Sequence, residues 1–413
     1  MRSSSTAPRA TAWRNAVFAV FVLNGFGISA WIARIPSVRD HLQISVAEVG
    51  ILIFGLSAGS VLGLLVSGHL VHWIGGRQSI RLALVIAAFA LAGIGIGTTL
   101  LSSFAVVLAA LVVYGVCSSI CDVAMNVEGA GVERTTGRTL LPLFHAGWSL
   151  GTVVGAALGS AAAFLGIDPV WHLAGVGLLL AISTLVVVRF IPAHADLGAE
   201  GADTTPLTFR ERMAIWLEPR TLLIGLIVLG MAFTEGSAND WLALAMVDDR
   251  GLDNGQGALL FGVFTAAMTV GRIVGGPLID RIGRVAALRW SGATAAVGLA
   301  LVILVPVIPI AVVGIVLWGV GASLGFPMGM SAAGDDPARA AARVSAVATV
   351  GYFAFLAGPP LIGFVGDRIG LLNALWIVLV LILLAAFTAP AARERSGRFA
   401  KTVVAPVGPA AEN

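Results

Sequence analysis

The sequence predicts an all-α membrane protein: twelve transmembrane helices in two pseudo-symmetric six-helix bundles. Three observations predict it. Hydrophobic residues make up 58% of the 413 and charged residues only 11%, with a mean hydropathy of +0.96; a soluble domain carries about 25% charged residues. Apolar stretches long enough to cross a bilayer, about 20 residues each, recur twelve times along the chain. One long polar interruption, residues 192–220, divides them six and six.

The spans centre near Leu23, Leu56, Ala90, Val112, Val154, Leu179, Gly230, Ala267, Leu299, Leu317, Ala354 and Leu379. Residues 1–14 are polar with three arginines. The apolar stretch after them is too long for a cleaved leader and stays as a span. Orientation follows from the arginines. With the N-terminus in the cytoplasm, only Arg34, Arg39, Arg250 and Arg368 fall in outer loops. Both termini are then inside, in a bacterial-type inner membrane. The segments are a tail (1–13), a first bundle (14–191), a cytoplasmic linker (192–219), a second bundle (220–390) and a second tail (391–413). Within the linker, residues 208–217 suit a short amphipathic surface helix. The net charge of +3 reflects arginine-rich loops and does not suggest nucleic acid. Cys117 and Cys121 lie four apart in an apolar stretch and read as small packing residues on one helix face.

Residues 276–284 read Gly-Pro-Leu-Ile-Asp-Arg-Ile-Gly-Arg, a tight polar turn between two spans. Gly276 is expected to let two backbones approach, and Gly283 to permit the reversal. Asp280, Arg281 and Arg284 stand beside the turn as gating candidates. A weaker copy, residues 68–77, ends on Arg77 and has His72 where the aspartate would be. A partial copy follows at 363–370. These runs resemble the loop signature of the major facilitator superfamily, Gly-x-x-x-Asp-Arg-x-Gly-Arg. The runs Ala-Met-Asn-Val-Glu-Gly at 124–129, Phe-His-Ala-Gly-Trp-Ser at 144–149, Asp240-Trp241 and Met-Thr-Val-Gly-Arg at 268–272 look like the bacterial YbjJ-like inner-membrane transporters. The resemblance covers residues 14–390. It implies a transport fold in which spans 3, 6, 9 and 12 stand outside a central path.

The two halves also resemble each other at an offset near 204–210: residues 24–31 align with 234–241, and 145–148 with 349–352. An inverted repeat inside each half predicts signature turns after spans 2, 5, 8 and 11; Asp168 is the remnant after span 5. Glycines recur at every fourth position: Gly55, Gly59, Gly63; Gly147, Gly151, Gly155, Gly159; Gly271, Gly275; Gly321, Gly325, Gly329. That spacing puts them on one helix face and predicts close-packed seams.

Ionisable groups in hydrocarbon are costly, so they should face an aqueous cavity or a partner. Glu235 lies about fifteen residues beyond Arg220, near the midplane, with Asn239 one turn on. Asp240 follows toward the outer rim, where Arg34 is a candidate gate partner. Asp122, with Asn126 one turn below, sits past the midplane of span 4. Glu235, Asp122 and Asp240 are the candidate proton-coupling or solute-binding carboxylates. His145 near the cytoplasmic side of span 5 titrates in a useful range. Arg272 in span 8 is expected to neutralise Asp122 or Asp280. Glu128, Glu133, Arg134 and Arg138 read as an interfacial ion-pair cluster. Asn24 is a candidate solute hydrogen-bonder. Trp148 and Tyr352 are candidate stacking faces for a sugar ring or an organic cation; Trp31 and Trp241 suit an interface belt.

No phosphate-binding loop of the Gly-x-x-x-x-Gly-Lys-Ser/Thr kind occurs, and no cofactor or metal is implied. An enzyme is not expected. The reading is a monomeric secondary active transporter working by alternating access in the lipid bilayer. It is expected to be proton-coupled and to take a small, sugar-like solute. A multidrug or metabolite efflux antiporter is the rival within transport. A membrane sensor that binds a solute without moving it is the rival from another class.

Overall fold

A backbone in hydrocarbon must satisfy its own hydrogen bonds, which makes each apolar stretch a helix. The computed structural model describes residues 6–138, 140–193, 214–336 and 339–394. Among them lie twelve helices long and apolar enough to cross a membrane. In the first half these are span 1 (Ala10–Leu42), span 2 (Val46–Ile74), span 3 (Gly76–Thr99), span 4 (Phe104–Thr136), span 5 (Leu141–Phe164) and span 6 (Pro169–Phe190). In the second they are span 7 (Pro219–Asp248), span 8 (Asn254–Ile282), span 9 (Arg284–Leu304), span 10 (Ile308–Ala333), span 11 (Ala342–Ile369) and span 12 (Leu371–Ala392). Most of the linker, including residues 208–213 of the expected surface helix, lies outside the described residues. The first helix already runs through Thr6, the first described residue, so residues assigned to the tail are helical, and Trp13 is buried.

The repeat is visible in the chain ends of the helices. Span 2 opens with a capping box in which Ser45 accepts from the Glu48 amide and Glu48 accepts from the Ser45 amide. Span 8 opens with the same device built from Asp253 and Gln256. Each box satisfies two amides that a helix start would otherwise leave bare. Spans 2 and 8 also end alike. Gly75 and Gly283 share φ +80° and ψ 158°, and Gly370 in the third copy has φ +86° and ψ 149°. Only glycine takes that backbone without strain.

Gly276 does not do what was expected of it. A Cβ there would meet nothing within 4 Å, and the same holds at Gly68. The close approach falls one position earlier, where Gly275 lies against Leu324 and, a turn before, Gly271 against Ser323. The glycine ladders otherwise make the seams. Gly59 and Gly63 face the Val112 and Val116 carbonyls of span 4, and Gly151 and Gly155 face the Val22 and Phe26 carbonyls of span 1.

Spans 1 and 5, 2 and 4, and 3 and 4 pack within the first half; 7 and 11, 8 and 10, and 9 and 10 pack within the second. The halves meet through span 2 on span 11 and span 5 on span 8. Their polar contacts lie at the end carrying the short helix Ile35–Leu42. Arg39 pairs with Asp248, Asn254 donates to Asp40 at 2.8 Å, and Ser160 donates to the Gly255 carbonyl at 2.8 Å. Among the described residues, no hydrogen bond or ion pair joins the halves at the linker end.

At the linker end the second half is tied internally. Glu218, just before span 7, bonds Arg339 at 2.6 Å and Arg343 at 2.7 Å, joining span 7 to span 11. Burial pushes the Glu218 carboxyl up, but the hydrogen bonds and charges of Arg343 and Arg339 outweigh it and hold the carboxyl below the usual glutamate range. A depressed carboxyl contributes stability above its unfolded value, about 4.3, and loses it as pH falls through the lower folded value. The melting temperature of the detergent-solubilised protein should therefore drop below about pH 4. Glu218→Gln should start lower at pH 7 and show a shallower acid drop. An unchanged acid profile in that variant would remove Glu218 from the account.

Candidate functional site

Spans 1 and 7 are the most buried of the twelve, and the winding of span 7 changes partway along it. The α-helix Pro219–Ser237 passes into a single wide turn over Ala238–Leu242 before continuing as Ala243–Asp248. Such π-turns re-aim side chains and recur at functional sites. This one carries Asn239, Asp240 and Trp241. It also breaks the expected one-turn register between Glu235 and Asn239.

Between the halves is a cavity of about 310 Å³. Span 1 contributes Asn24, Ile28, Trp31 and Ile32; span 2 contributes Ser57 and Ser60 with their apolar neighbours. Span 4 gives Ser118, Ser119 and Asp122, and span 5 gives Trp148. Span 7 gives Gly236, Asn239 and Asp240; span 11 gives Tyr352, Phe355 and Leu356. Spans 3, 6, 9 and 12 contribute nothing to the wall, as the resemblance implies. Span 8, expected to contribute a charged group, does not reach it either.

The candidate residues separate into those on the cavity and those beside it. Asp122 is exposed on the wall; its only hydrogen-bond partner among the described residues is Asn126, whose amide reaches its carboxylate at 3.4 Å and its backbone carbonyl at 2.9 Å. Asp240 makes no hydrogen bond or ion pair among the described residues. Asn24 is 5% exposed; its carbonyl accepts from Ser118 at 3.4 Å, and its amide faces only the Met125 sulfur at 3.9 Å. Tyr352 is 48% exposed on the cavity wall. His145 lies off the wall, edge-on to Phe21 at 5.2 Å.

Several expectations are corrected. Arg272 pairs neither with Asp122 nor with Asp280: its Nη2 sits 3.0 Å from both carboxylate oxygens of Glu235. The pair draws Glu235 toward span 8 and away from the cavity. Arg34 does not reach Asp240. It is 2% exposed and donates to the Ile167 carbonyl at 2.6 Å, which ties span 1 to the loop before span 6. Trp31 and Trp241 are 2% and 0% exposed, so neither belongs to an interface belt. Glu128 is 1% exposed and accepts from the Trp13 indole at 2.9 Å, and Glu133 accepts from the Leu140 and Leu141 amides at the start of span 5. Those two acids hold helix ends and backbone, not arginines.

Of the signature residues, Arg284 pairs with Asp335 at 3.0 Å, and Arg220 joins the same carboxylate at 2.8 Å. Asp280 and Arg281 are exposed and Arg77 is half-buried; none has a partner among the described residues.

The serines on the wall were missed. Their signal is a second helical stripe on span 2. Ile53, Leu56, Ser57, Ser60, Val61 and Leu64 recur at spacings of three and four, on a face distinct from the Gly55–Gly59–Gly63 ladder. A face with two hydroxyls among apolar residues in the middle of a membrane span points at water or a ligand.

Comparison with known proteins agrees with this architecture. The family model described as Major Facilitator Superfamily matches residues 2–129, 140–359 and 232–406. An uncharacterised MFS-type transporter of Yersinia pestis is 31% identical over 376 residues, covering 90% of this chain and 93% of its own. The uncharacterised transporter y4wD of Sinorhizobium fredii is 30% identical over 394 residues, covering 93% and 99%. Among solved structures, a variant of the nucleoside transporter NupG superposes with a TM-score of 0.76 at 14% identity, over 92% of this chain and 99% of that one. Twelve spans in two matched halves, a cavity of mixed polar and apolar side chains between them and transporters as relatives lead to one statement: the chain belongs to the Major Facilitator Superfamily and is a multi-pass membrane transporter, not an enzyme.

Proposed function

We propose that this protein is a secondary active transporter that moves a small polar, sugar-like solute by alternating access, with protons coupled through cavity carboxylates. The observation that carries the proposal is the cavity between the halves, with Asp122 and Asp240 on its wall and, among the described residues, no cation paired to either. A carboxylate without a counter-charge, held away from bulk water, is a group able to take up and release a proton. Asn24, Asn239, Trp148 and Tyr352 are the solute contacts. Asn126 and His145 support the carboxylate side of the wall. Glu235, neutralised by Arg272, ties span 7 to span 8 and is not a proton carrier on this reading.

The halves, residues 14–191 and 220–390, rock about the cavity. Their polar contacts at the Arg39–Asp248 end close it on that side. Arg284, Asp280, Arg281 and Arg77 belong to the opposite gate, beside the linker. The linker and both termini are cytoplasmic, and the protein works as a monomer in the inner membrane. A proton crossing 100 mV inward supplies about 2.3 kcal/mol to the cycle.

The test is solute-driven proton movement in proteoliposomes, read with a trapped pH dye across a panel of sugars. Uptake should rise severalfold with an imposed pH gradient. Asp122→Asn or Asp240→Asn should abolish the gradient dependence. Flux that ignores the gradient and survives both substitutions would rule the coupling out.

A further inference from the structure

We propose that the cavity is a site for a small organic cation carrying hydroxyl groups, such as an aminated polyol or amino sugar. The inference rests on the transport reading above and names the class of solute the site takes.

Charge comes first. Two carboxylates, Asp122 from the first half and Asp240 from the second, line the same cavity of about 310 Å³, and among the described residues no arginine, lysine or histidine does. The two nearby cations are committed elsewhere: Arg272 to Glu235 and Arg34 to the Ile167 carbonyl. An anionic solute would meet two like charges and no donor of positive charge. A neutral solute would leave an ionised carboxylate on this wall without a partner, so it suits only the protonated form of the two acids. A protonated amine pairs with the ionised form, on a wall that both halves line.

The second line is independent of the acids. Asn24 is 95% buried yet lines the cavity, and its amide has only a thioether at 3.9 Å, a weak acceptor. A buried amide that poorly satisfied is a vacant donor for a hydroxyl oxygen. Ser57, Ser118 and Ser119 add hydroxyls on the same wall. The aromatic faces of Trp31, Trp148 and Tyr352 suit both the apolar face of a ring and an ammonium group.

The experiment uses the full-length purified protein and isosteric probes that differ in charge: glucosamine, glucose and glucuronate, then choline and its neutral isostere 3,3-dimethylbutanol. Binding is read by thermal shift and titration calorimetry. At least one cation of the panel should bind at least tenfold more tightly than its neutral partner, and glucuronate should not bind. Asp122→Asn and Asp240→Asn should each weaken that cation at least tenfold and leave the neutral partner unchanged. The proposal is overturned if every cation of the panel is matched by its neutral partner, or if glucuronate binds as tightly as the best cation. It is also overturned if both variants keep the cation's affinity, or if no cation of the panel binds. Counterflow in proteoliposomes separates the two readings. Cation binding without counterflow overturns transport and keeps the site. Counterflow of glucose with no glucosamine binding keeps transport and overturns the site.

Discussion

Replacing Arg272 by methionine should destabilise the protein by about 3 kcal/mol, and adding Glu235→Gln in the same chain should restore most of the loss. Arg272 places Nη2 3.0 Å from both oxygens of Glu235, in the middle of two membrane spans. The Glu235 side chain keeps 14% of its surface and Arg272 keeps 30%. Removing the guanidinium leaves a carboxylate with neither water nor partner, the costly half of a broken buried pair, typically 3–5 kcal/mol. The lower end applies because the pair is not fully enclosed. Glu235→Gln alone should cost less, since the longer arginine reaches the aqueous side more readily. The double variant carries no net charge defect and should fold nearly as well as the parent. Melting temperatures of the four proteins in detergent form the double-mutant cycle. If the double variant melts no higher than Arg272→Met, the pair is not what holds these spans. The same cycle bears on mechanism: gradient-dependent flux retained in the double variant would confirm that the proton is carried elsewhere on the cavity wall.

That pairing marks the limit of what could be read from the chain alone. The fold was open to inspection. Twelve apolar runs, the break at residues 192–220 and the three glycine-ended turns require only composition and local backbone chemistry. Gly283 at φ +80° is the kind of position a sequence announces, because no other residue sits there cheaply. The acids and arginines could be assigned to their spans, but not to their partners. Which neighbour a buried charge finds depends on which helices touch and on their rotation, and neither is local. Thus Arg272 found Glu235 instead of Asp122, and Arg34 found a carbonyl. Glu128 found the indole of Trp13, 115 residues away. The wide turn at Ala238–Leu242 was likewise hidden. It has no residue signature, yet Asp240 and Asn239 reach the cavity wall on it while Glu235 stays paired to span 8. Gly276 teaches the converse lesson: a motif glycine can match its pattern and still face open space in this structure.

Gly363→Leu should open the cavity toward the face carrying Arg39 and stop transport, and Gly50→Leu should do the same from the opposite half. The two glycines form a close backbone contact where span 2 meets span 11. A Cβ on Gly363 would lie 3.1 Å from the Trp241 ring and 3.2 Å from the Gly50 Cα. A Cβ on Gly50 would lie 3.1 Å from the Pro359 carbonyl oxygen and 3.3 Å from the Pro360 Cα. Backbone cannot yield as a flexible side chain can, so a leucine at either site wedges the halves apart at that end. Overpacking of this kind costs about 1–3 kcal/mol. Under alternating access the cost falls only on the arrangement in which spans 2 and 11 touch. Each 1.4 kcal/mol is then about a tenfold shift toward the opposite state. A cysteine at the wall position Ser57, in a background with Cys117 and Cys121 replaced by alanine, reports the shift. Labelling by a membrane-impermeant maleimide from the Arg39 face should accelerate tenfold or more in both variants, and flux should fall in proportion. Gly276→Leu is the matched control. Its side chain meets open space, so its labelling rate should equal that of the parent. Folded Gly50→Leu and Gly363→Leu proteins that label no faster than the control would mean that this contact does not gate the cavity, and that the two halves are held apart or together by something other than the span 2–span 11 seam.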